Sequence, residues 1–515
     1  MSQSLLATDG YKFSMAEAGW PLRKETFYYS HRKGGPQVMP LDLEAYVRRL
    51  LPVPQPEDYA FLAQHDYEMG VGFKAAILRT ERLSVRAVPR GAVFLPREPI
   101  LTLTGPSALV SWLEPLLLQL NYRIQVATQA LQDREALARS LTTVTCEEEK
   151  RIALETLDQV GVKAMPIRVD TEGYVQRVRA QVKELVDLVE DPSRIFEVGL
   201  RAATCLEQHE LALRACQDAG VQRTSNVEGA RVLGMIPVGT MGHEHVQRYG
   251  SDDAAFRAMH ERRPQRSSYL LDTFDTLTSG IPAAFKLISE EPQGGDSIRF
   301  DSGNKKLQYL YAVTRAKDMG IKPVLILEDG LDAQMTREFE ELRRQVGWEP
   351  TAQFYGYGGH IVARTMSHAL TRDRVAAVYK LSCTGATPVM KFGNELTEGK
   401  QSVPGTPIIF RRRTGTGPLG LVGQAGEATP PGLLPADGGG GRDAVAFGRG
   451  GRGAGGAAHR LHCDHAGAGG IAHAAPLPAG PLTLPVGRRG GRRQAVWRRR
   501  HVSAPPRVSR HPPRR

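Results

Sequence analysis

The stretch SIRFDSGNKKLQYLYAVTRAKDMGIKPVLILEDG, residues 297–330, decides the fold. An apolar run at Ser297–Phe300 gives way to a polar, helix-compatible stretch and then to a second apolar run at Pro323–Leu327, the order of strand, helix and parallel strand. The alternation extends outwards through runs at Arg194–Val198, Gly234–Val238, Ser268–Leu271 and Ala352–Tyr355. It predicts a parallel α/β domain. Upstream, Tyr174, Val178, Val182, Leu185 and Val189 recur at steps of three and four and predict an amphipathic helix over 171–190. Residues 82–104 are different: short β-rich runs broken by Pro and Gly predict antiparallel strands.

The polar residues with chemical potential fall just after the strands. Arg201 follows the first run, Thr240 and His243 the second, Asp272 the third, Arg299 and Asp301 flank the end of the fourth, and Asp329 and Gly330 close the fifth. Gly356, Gly358 and Gly359 follow the sixth. In a β/α barrel these strand ends share one rim, so distant residues converge there. Glycines after a strand suit a phosphate cradle, since backbone N–H groups can approach phosphate oxygens closely, although a plain turn uses the same residues. Asp301 and Asp329 suit ribose hydroxyls or a magnesium-bound diphosphate, and Arg201 and Arg299 suit phosphate or carboxylate; a salt bridge or helix cap is the alternative for each. His243, in GTMGHEH, has small neighbours that leave its imidazole accessible, and imidazole can accept a phosphoryl group. Asp272 is placed to orient that ring, and His245 is assigned no role.

Composition narrows the class. A chain of 515 residues, 41% hydrophobic and 24% charged, can build several cores, which excludes a disulfide-stapled miniprotein and a wholly disordered chain. Five cysteines form no Cys-x-x-Cys pair, so neither a disulfide framework nor a clustered zinc site is expected and a reducing compartment fits. MSQSLLATDGYKFSM lacks the pattern of a leader, and the apolar run ALVSWLEPLLLQL is cut by Glu114 and Pro115, so a cytoplasmic protein without a membrane span is expected. The net charge of +12 sits entirely in residues 436–515, which hold 15 Arg, 3 Asp and no Lys or Glu; the remainder is balanced, which argues against a nucleic-acid-binding body. With 17 Gly, 14 Ala and 8 Pro, that tail cannot build an ordinary core. An Arg/Gly nucleic-acid tail, a linker and translation in a wrong reading frame compete, and the abrupt switch to residues of GC-rich codons favours the last. His459, His462, Cys463 and His465 within it imitate metal ligands by chance.

Ordered motifs carry a resemblance. ATDGYKFSM, FYYSHRKGG, EPLLLQLNYRIQVATQA, EVGLRAA, RTSNVEGAR, PVGTMGHEH, LLDTFDTLTSG, IRFDSGN, LEDGLD, FYGYGG and KFGNELTEGKQSVPG, spread over about residues 5 to 430, resemble the nicotinate phosphoribosyltransferase family and, more distantly, its nicotinamide-using relatives. The resemblance implies the irregular β/α barrel of the type II phosphoribosyltransferases with a second α+β domain. The corresponding boundaries are 1–120 for an N-terminal α+β domain, 121–385 for the barrel, 386–435 for a return segment and 436–515 for the tail. It further implies transfer of phosphoribose from 5-phosphoribosyl 1-diphosphate to nicotinate, magnesium, ATP hydrolysed through a phosphohistidine, and a homodimer with shared sites. In that scheme His243 is the phosphoacceptor and Asp272 its acidic partner; Arg299 and Asp301 bind the phosphoribosyl substrate, with Asp329, Gly330, Gly358 and Gly359 around its ribose and 5′-phosphate. Tyr11 is the ring-stacking aromatic from the neighbouring subunit, and Arg32, Lys33, Lys400 and Ser402 are partner-subunit residues near the phosphates. Ser225, neutral where a carboxylate suits an amide donor, favours the acid, with Arg201 as its counter-charge. Two departures are Val198, where an aromatic is common, and Gly242, where Ala is familiar. A nicotinamide-specific enzyme, or an inactive homologue whose basic tail binds RNA, are the alternatives.

Overall fold

The helix expected over 171–190 runs over Thr171–Val189, capped by the Asp170 side chain, and buries the whole stripe of Tyr174, Val178, Val182, Leu185 and Val189. It is one of the layers around a seven-stranded parallel sheet in a computed structural model that describes residues 3–363, 370–392, 400–412, 420–429 and 433–436. The tail from residue 437 onward, with its His459, His462, Cys463 and His465, lies outside the described residues.

Across the sheet the order is Ile236–Pro237, Arg223–Thr224, Ile195–Glu197, Gln353–Tyr357, Val324–Leu327, Ser297–Phe300 and Ser268–Leu270. The last strand in sequence therefore pairs with the first, as in a β/α barrel, and the circle is open only between Ile236–Pro237 and Ser268–Leu270 among the described residues. Helices including Leu206–Asp218, Ile281–Glu290, Lys305–Met319 and Ala333–Val346 contribute to one core with the strand residues Leu270, Ile298, Leu325 and Tyr355.

The N-terminal segment lies across the C-terminal ends of two strands beside this opening. Gly10 N–H donates to Ser225 O at 2.7 Å, and Asp9 bridges to Asn226. A Cβ on Gly10 would lie 2.4 Å from Val238 O and one on Gly239 would lie 2.3 Å from the Gly10 carbonyl carbon, so bare backbone at both positions permits the approach.

A second, antiparallel sheet orders Thr387–Pro388, Ala377–Thr384, Lys24–His31, Leu101–Pro106 and Ser84–Ala87. Because Ala377–Thr384 pairs along Lys24–His31, the return to the N-terminal sheet begins before residue 386, where the sequence placed it. Residues 121–160, assigned to the barrel, build a helical cluster of their own around Tyr122, Val126, Leu137, Ile152 and Leu157, because their apolar faces meet one another. Farther on, Pro407–Arg412 pairs with Gly420–Gln424 and Leu433–Pro435. Arg411 holds this piece to the N-terminal half by a fork onto Glu98, with N–O distances of 2.5 and 2.7 Å. No helix among the described residues is long and apolar enough to cross a membrane.

The two halves are joined through charge as well as packing. Arg248, on the helix His243–Tyr249, donates to both Glu25 oxygens at 2.8 and 2.9 Å, and both side chains are buried. Removing one member of such a pair leaves an uncompensated buried charge. Glu25→Gln is expected to lower unfolding free energy by about 3 kcal/mol in a urea titration; a loss below about 1 kcal/mol would show that the pair contributes little beyond an exposed one.

Candidate active site

The cleft lies at the C-terminal ends of the parallel strands and is closed from above by the N-terminal segment and the antiparallel sheet. Its first corner is built on His243. This residue opens a helix directly after Gly242, which places the imidazole at the rim. Nδ1 lies 3.0 Å from Thr273 Oγ1 and Nε2 lies 2.8 Å from Lys391 Nζ. An ammonium has only protons to give, so Nε2 is the acceptor and Nδ1 carries the proton toward Thr273. Burial, and then the Lys391 charge, hold the imidazole below its ordinary pKa against the pull of Asp272 and Asp301, and keep it neutral at physiological pH.

Asp272 departs from the expected role. Its Oδ1 is 3.7 Å from Nε2, beyond hydrogen-bond reach, while its Oδ2 accepts from Lys391 Nζ at 2.7 Å and also from Ser302 Oγ. Thr273, the next residue, orients the ring instead. Burial opposes ionisation of Asp272, but the imidazole and the Lys391 ammonium outweigh it, and its pKa falls below the usual carboxylate value. Asp301 reaches to 3.6 Å from Nε2, and despite burial its neighbours His243, Arg299 and Lys391 hold its carboxyl well below the ordinary range. Arg299 donates to Thr240 Oγ1 and stands 3.6 Å from Glu328, with its Nε buried and without a hydrogen-bond partner. Ser402 lies behind the cleft, where its Oγ accepts from Lys391 N at 2.9 Å; it positions the lysine.

The second corner holds Tyr11, Arg201 and Ser225. Tyr11 donates to Glu114 Oε2 at 2.8 Å, and Glu114 also accepts from the buried Lys12 at 2.5 Å. The Arg201 guanidinium stands 5.8 Å from the Tyr11 ring centre, 3.7 Å from Glu114 and 3.7 Å from Asp9. Ser225 donates to Asp9 Oδ1 at 2.6 Å, and burial raises the Asp9 pKa against the opposing charge of Arg201. Phe196, in the strand Ile195–Glu197, and Val198, directly after it, line the cleft.

The third corner is cationic. Arg32 donates to the Lys400 carbonyl at 3.0 Å, and Lys400 Nζ donates to Asp329 at 3.1 Å. Lys380 joins them from the strand Ala377–Thr384; burial lowers its pKa to about 8, with Glu114 pulling the other way. Asp329 and Gly330 both take left-handed backbone, φ 59° and 68°, which turns the chain sharply after the Val324–Leu327 strand.

Several expectations change. Tyr11, Arg32 and Lys400 line the cleft from the same chain as His243, beneath the antiparallel sheet. Lys33 faces a separate surface groove beside Gln37 and Arg374. Gly330, Gly358 and Gly359 do not line the cleft; a Cβ on Gly358 would lie 3.3 Å from the Val198 carbonyl oxygen and one on Gly359 2.9 Å from the Asp373 carboxylate, so bare backbone there permits close packing. His245 points away and bonds to Ala255 O at 3.0 Å. Lys391, Thr273, Ser302, Lys380 and Asp9 were missed. Glu114 carried a signal: an acid inside an otherwise apolar run needs a buried partner, and Lys12 is it.

No family model matches the chain. It is similar to the nicotinate phosphoribosyltransferase of Bos taurus, 26% identical over 457 residues with 83% of this chain and 80% of the relative covered. A protein of the same name from Caenorhabditis elegans is 34% identical over 429 residues, covering 71% of this chain and 62% of its own length. The corresponding protein pncB2 of Mycobacterium tuberculosis is 29% identical over 249 residues, 47% of this chain and half of the relative. Among solved structures, nicotinate phosphoribosyltransferases from Porphyromonas gingivalis and Vibrio cholerae share the fold, each with TM-score 0.56, 17% identity and 78% of this chain covered, and with 96% and 90% of their own lengths covered respectively. Relatives of one name thus recur in animals and bacteria, and solved proteins of that name share the fold; the chain belongs to the nicotinate phosphoribosyltransferase family.

Proposed function

We propose that the protein joins nicotinate to 5-phosphoribosyl 1-diphosphate, forming nicotinate mononucleotide and diphosphate, and that ATP hydrolysis is coupled to this step through phosphorylation of His243. The observation that carries the reading is the convergence in one cleft of an accessible neutral imidazole, the Arg299–Asp301 pair and the cations Arg32, Lys380 and Lys400. Those residues span most of the described chain, and a sugar bearing phosphate at both ends is the ligand that such a spread of charge suits.

In the transfer, the pyridine nitrogen attacks C1 of the ribose, and the bond from C1 to diphosphate breaks with its electron pair leaving on oxygen. Nicotinate's ring nitrogen is unprotonated near neutral pH, so the site needs to orient it more than to deprotonate it. Tyr11 and Phe196 offer ring surfaces, and Arg201 a charge for the carboxylate. Arg32, Lys380 and Lys400 offset the charge gathering on diphosphate. Magnesium fits beside them: Asp272 Oδ1 is buried without a hydrogen-bond partner, and Asp301 adds a second hard oxygen donor within the same small cluster. Asp272 and Asp301 would hold the ion, which supplies further charge neutralisation on the diphosphate.

For ATP coupling, the neutral ring with its lone pair on Nε2 is the nucleophilic form, and the Lys391 ammonium beside that atom can pair with incoming phosphoryl oxygens. A phosphoryl group there adds about two negative charges next to Asp272 and Asp301, which alters the electrostatics on the diphosphate side of the cleft.

Selectivity for acid over amide rests on Ser225 and Arg201. A charged residue at position 225 would face nicotinate's carboxylate across a buried cleft. Ser225→Asp is expected to lower kcat/KM for nicotinate by about tenfold or more while sparing nicotinamide. Competition kinetics with both pyridines checks this; an unchanged preference, or a wild-type protein that prefers nicotinamide, would overturn the assignment.

A further inference from the structure

We infer that Cys146 and Cys205 form a redox-active dithiol that closes to a disulfide between two helix N-termini. Their Sγ atoms lie 3.5 Å apart, and both residues are buried. Each immediately precedes a helix, Cys146 before Glu147–Gln159 and Cys205 before Leu206–Asp218, and the two have nearly the same backbone, φ −153° and ψ 170° against φ −161° and ψ 173°.

The surrounding hydrogen bonds are reciprocal. Glu148 N donates to Glu207 Oε2 at 2.8 Å, and Glu207 N donates to Glu148 Oε2 at 3.0 Å, so each helix caps the other. Thr145 N donates to Glu149 and Thr204 N donates to Gln208, the equivalent pair, while Gln208 Nε2 crosses to Thr145 Oγ1. The threonine hydroxyls approach their neighbouring sulfurs at 3.7 and 3.8 Å. The sequence shows the repeat, Thr-Cys-Glu-Glu-Glu at 145–149 and Thr-Cys-Leu-Glu-Gln at 204–208. This local two-fold arrangement holds the thiols side by side from both directions, so their proximity does not depend on the placement of one flexible side chain.

Closure requires each sulfur to lose one proton and one electron. With hydrogen peroxide as the two-electron oxidant, one thiolate attacks the O–O bond, the second sulfur displaces the resulting hydroxyl, one S–S bond forms and two waters leave. Burial raises the Cys205 thiol well above its ordinary pKa, so the reaction is slow at neutral pH and accelerates in mildly alkaline buffer. The link would join positions 59 apart in the sequence, restrict the unfolded chain, and tie the segment that carries Arg201 to the Glu147–Gln159 helix.

The test uses the full-length protein, fully reduced and then exposed to hydrogen peroxide in mildly alkaline buffer, with remaining thiols alkylated after denaturation. Peptide mapping is expected to recover Cys146 joined to Cys205 with the loss of two hydrogens, and the thermal midpoint to rise by several degrees and return on reduction. Cys205→Ser should lose both the cross-link and the reversible rise. Recovery of Cys146 and Cys205 both alkylated, while other thiols are consumed, would overturn the inference, and so would a reversible rise that persists in the Cys205→Ser protein. Neither readout involves nucleotide formation.

Discussion

Protein carrying His243→Ala is expected to lose ADP formation by about a hundredfold or more, because the group that accepts the phosphoryl is gone. Nucleotide formation without ATP should survive, since no atom of the imidazole is required when pyridine nitrogen displaces diphosphate. The expected signature is therefore a split: ADP per nucleotide falls toward zero, while some nicotinate mononucleotide is still made. The side chain is only partly exposed, at 12%, and its ring bonds to Thr273 and Lys391, so a thermal melt must accompany the assay. Stoichiometric ADP from a folded variant would refute the role.

Replacing Lys391 with Met should have the larger structural consequence. The ammonium is almost fully buried and lies between Asp272, Ser302 and the imidazole; methionine fills the space without the charge. Asp272 would then remain a buried carboxylate with Ser302 as its hydrogen-bond partner. Loss of one partner from such a pair costs about 3 kcal/mol, and ATP coupling should fall with it, because the cation beside Nε2 is removed. Urea unfolding and ADP release measure the two effects. A variant as stable as the wild type, with coupling intact, would show that the lysine neither balances Asp272 nor serves His243.

The parallel strands were legible because each is a short apolar run set between polar stretches, and Ser297–Phe300 was read to the residue. Arg223–Thr224 was missed since two residues are too few to display a period; its place is set by pairing with Ile236–Pro237 and Ile195–Glu197. The convergence of His243, Asp301, Arg299, Arg201 and Asp329 in one cleft, with Asp272 buried beside His243, followed from their shared position after strands. What local sequence could not show was which of them touch. Asp272 and Thr273 are adjacent in the chain, and only the turn after Ser268–Leu270 decides that the hydroxyl meets the ring while the carboxylate meets Lys391. Lys391 lies 148 residues from His243, on a segment with no strand or helix period; it opens the motif KFGNELTEGKQSVPG, but nothing local tied it to the imidazole. At Gly358 and Gly359 local sequence cannot choose between two uses, because small residues serve close packing as readily as phosphate binding.

The most direct test of the account is a single reaction: purified full-length protein with nicotinate, 5-phosphoribosyl 1-diphosphate and magnesium, with and without ATP, in which nicotinate mononucleotide, diphosphate and ADP are all quantified. The account predicts nucleotide and diphosphate in equal amounts, with ADP appearing alongside when ATP is present. A folded protein that makes no nicotinate mononucleotide under either condition would contradict it.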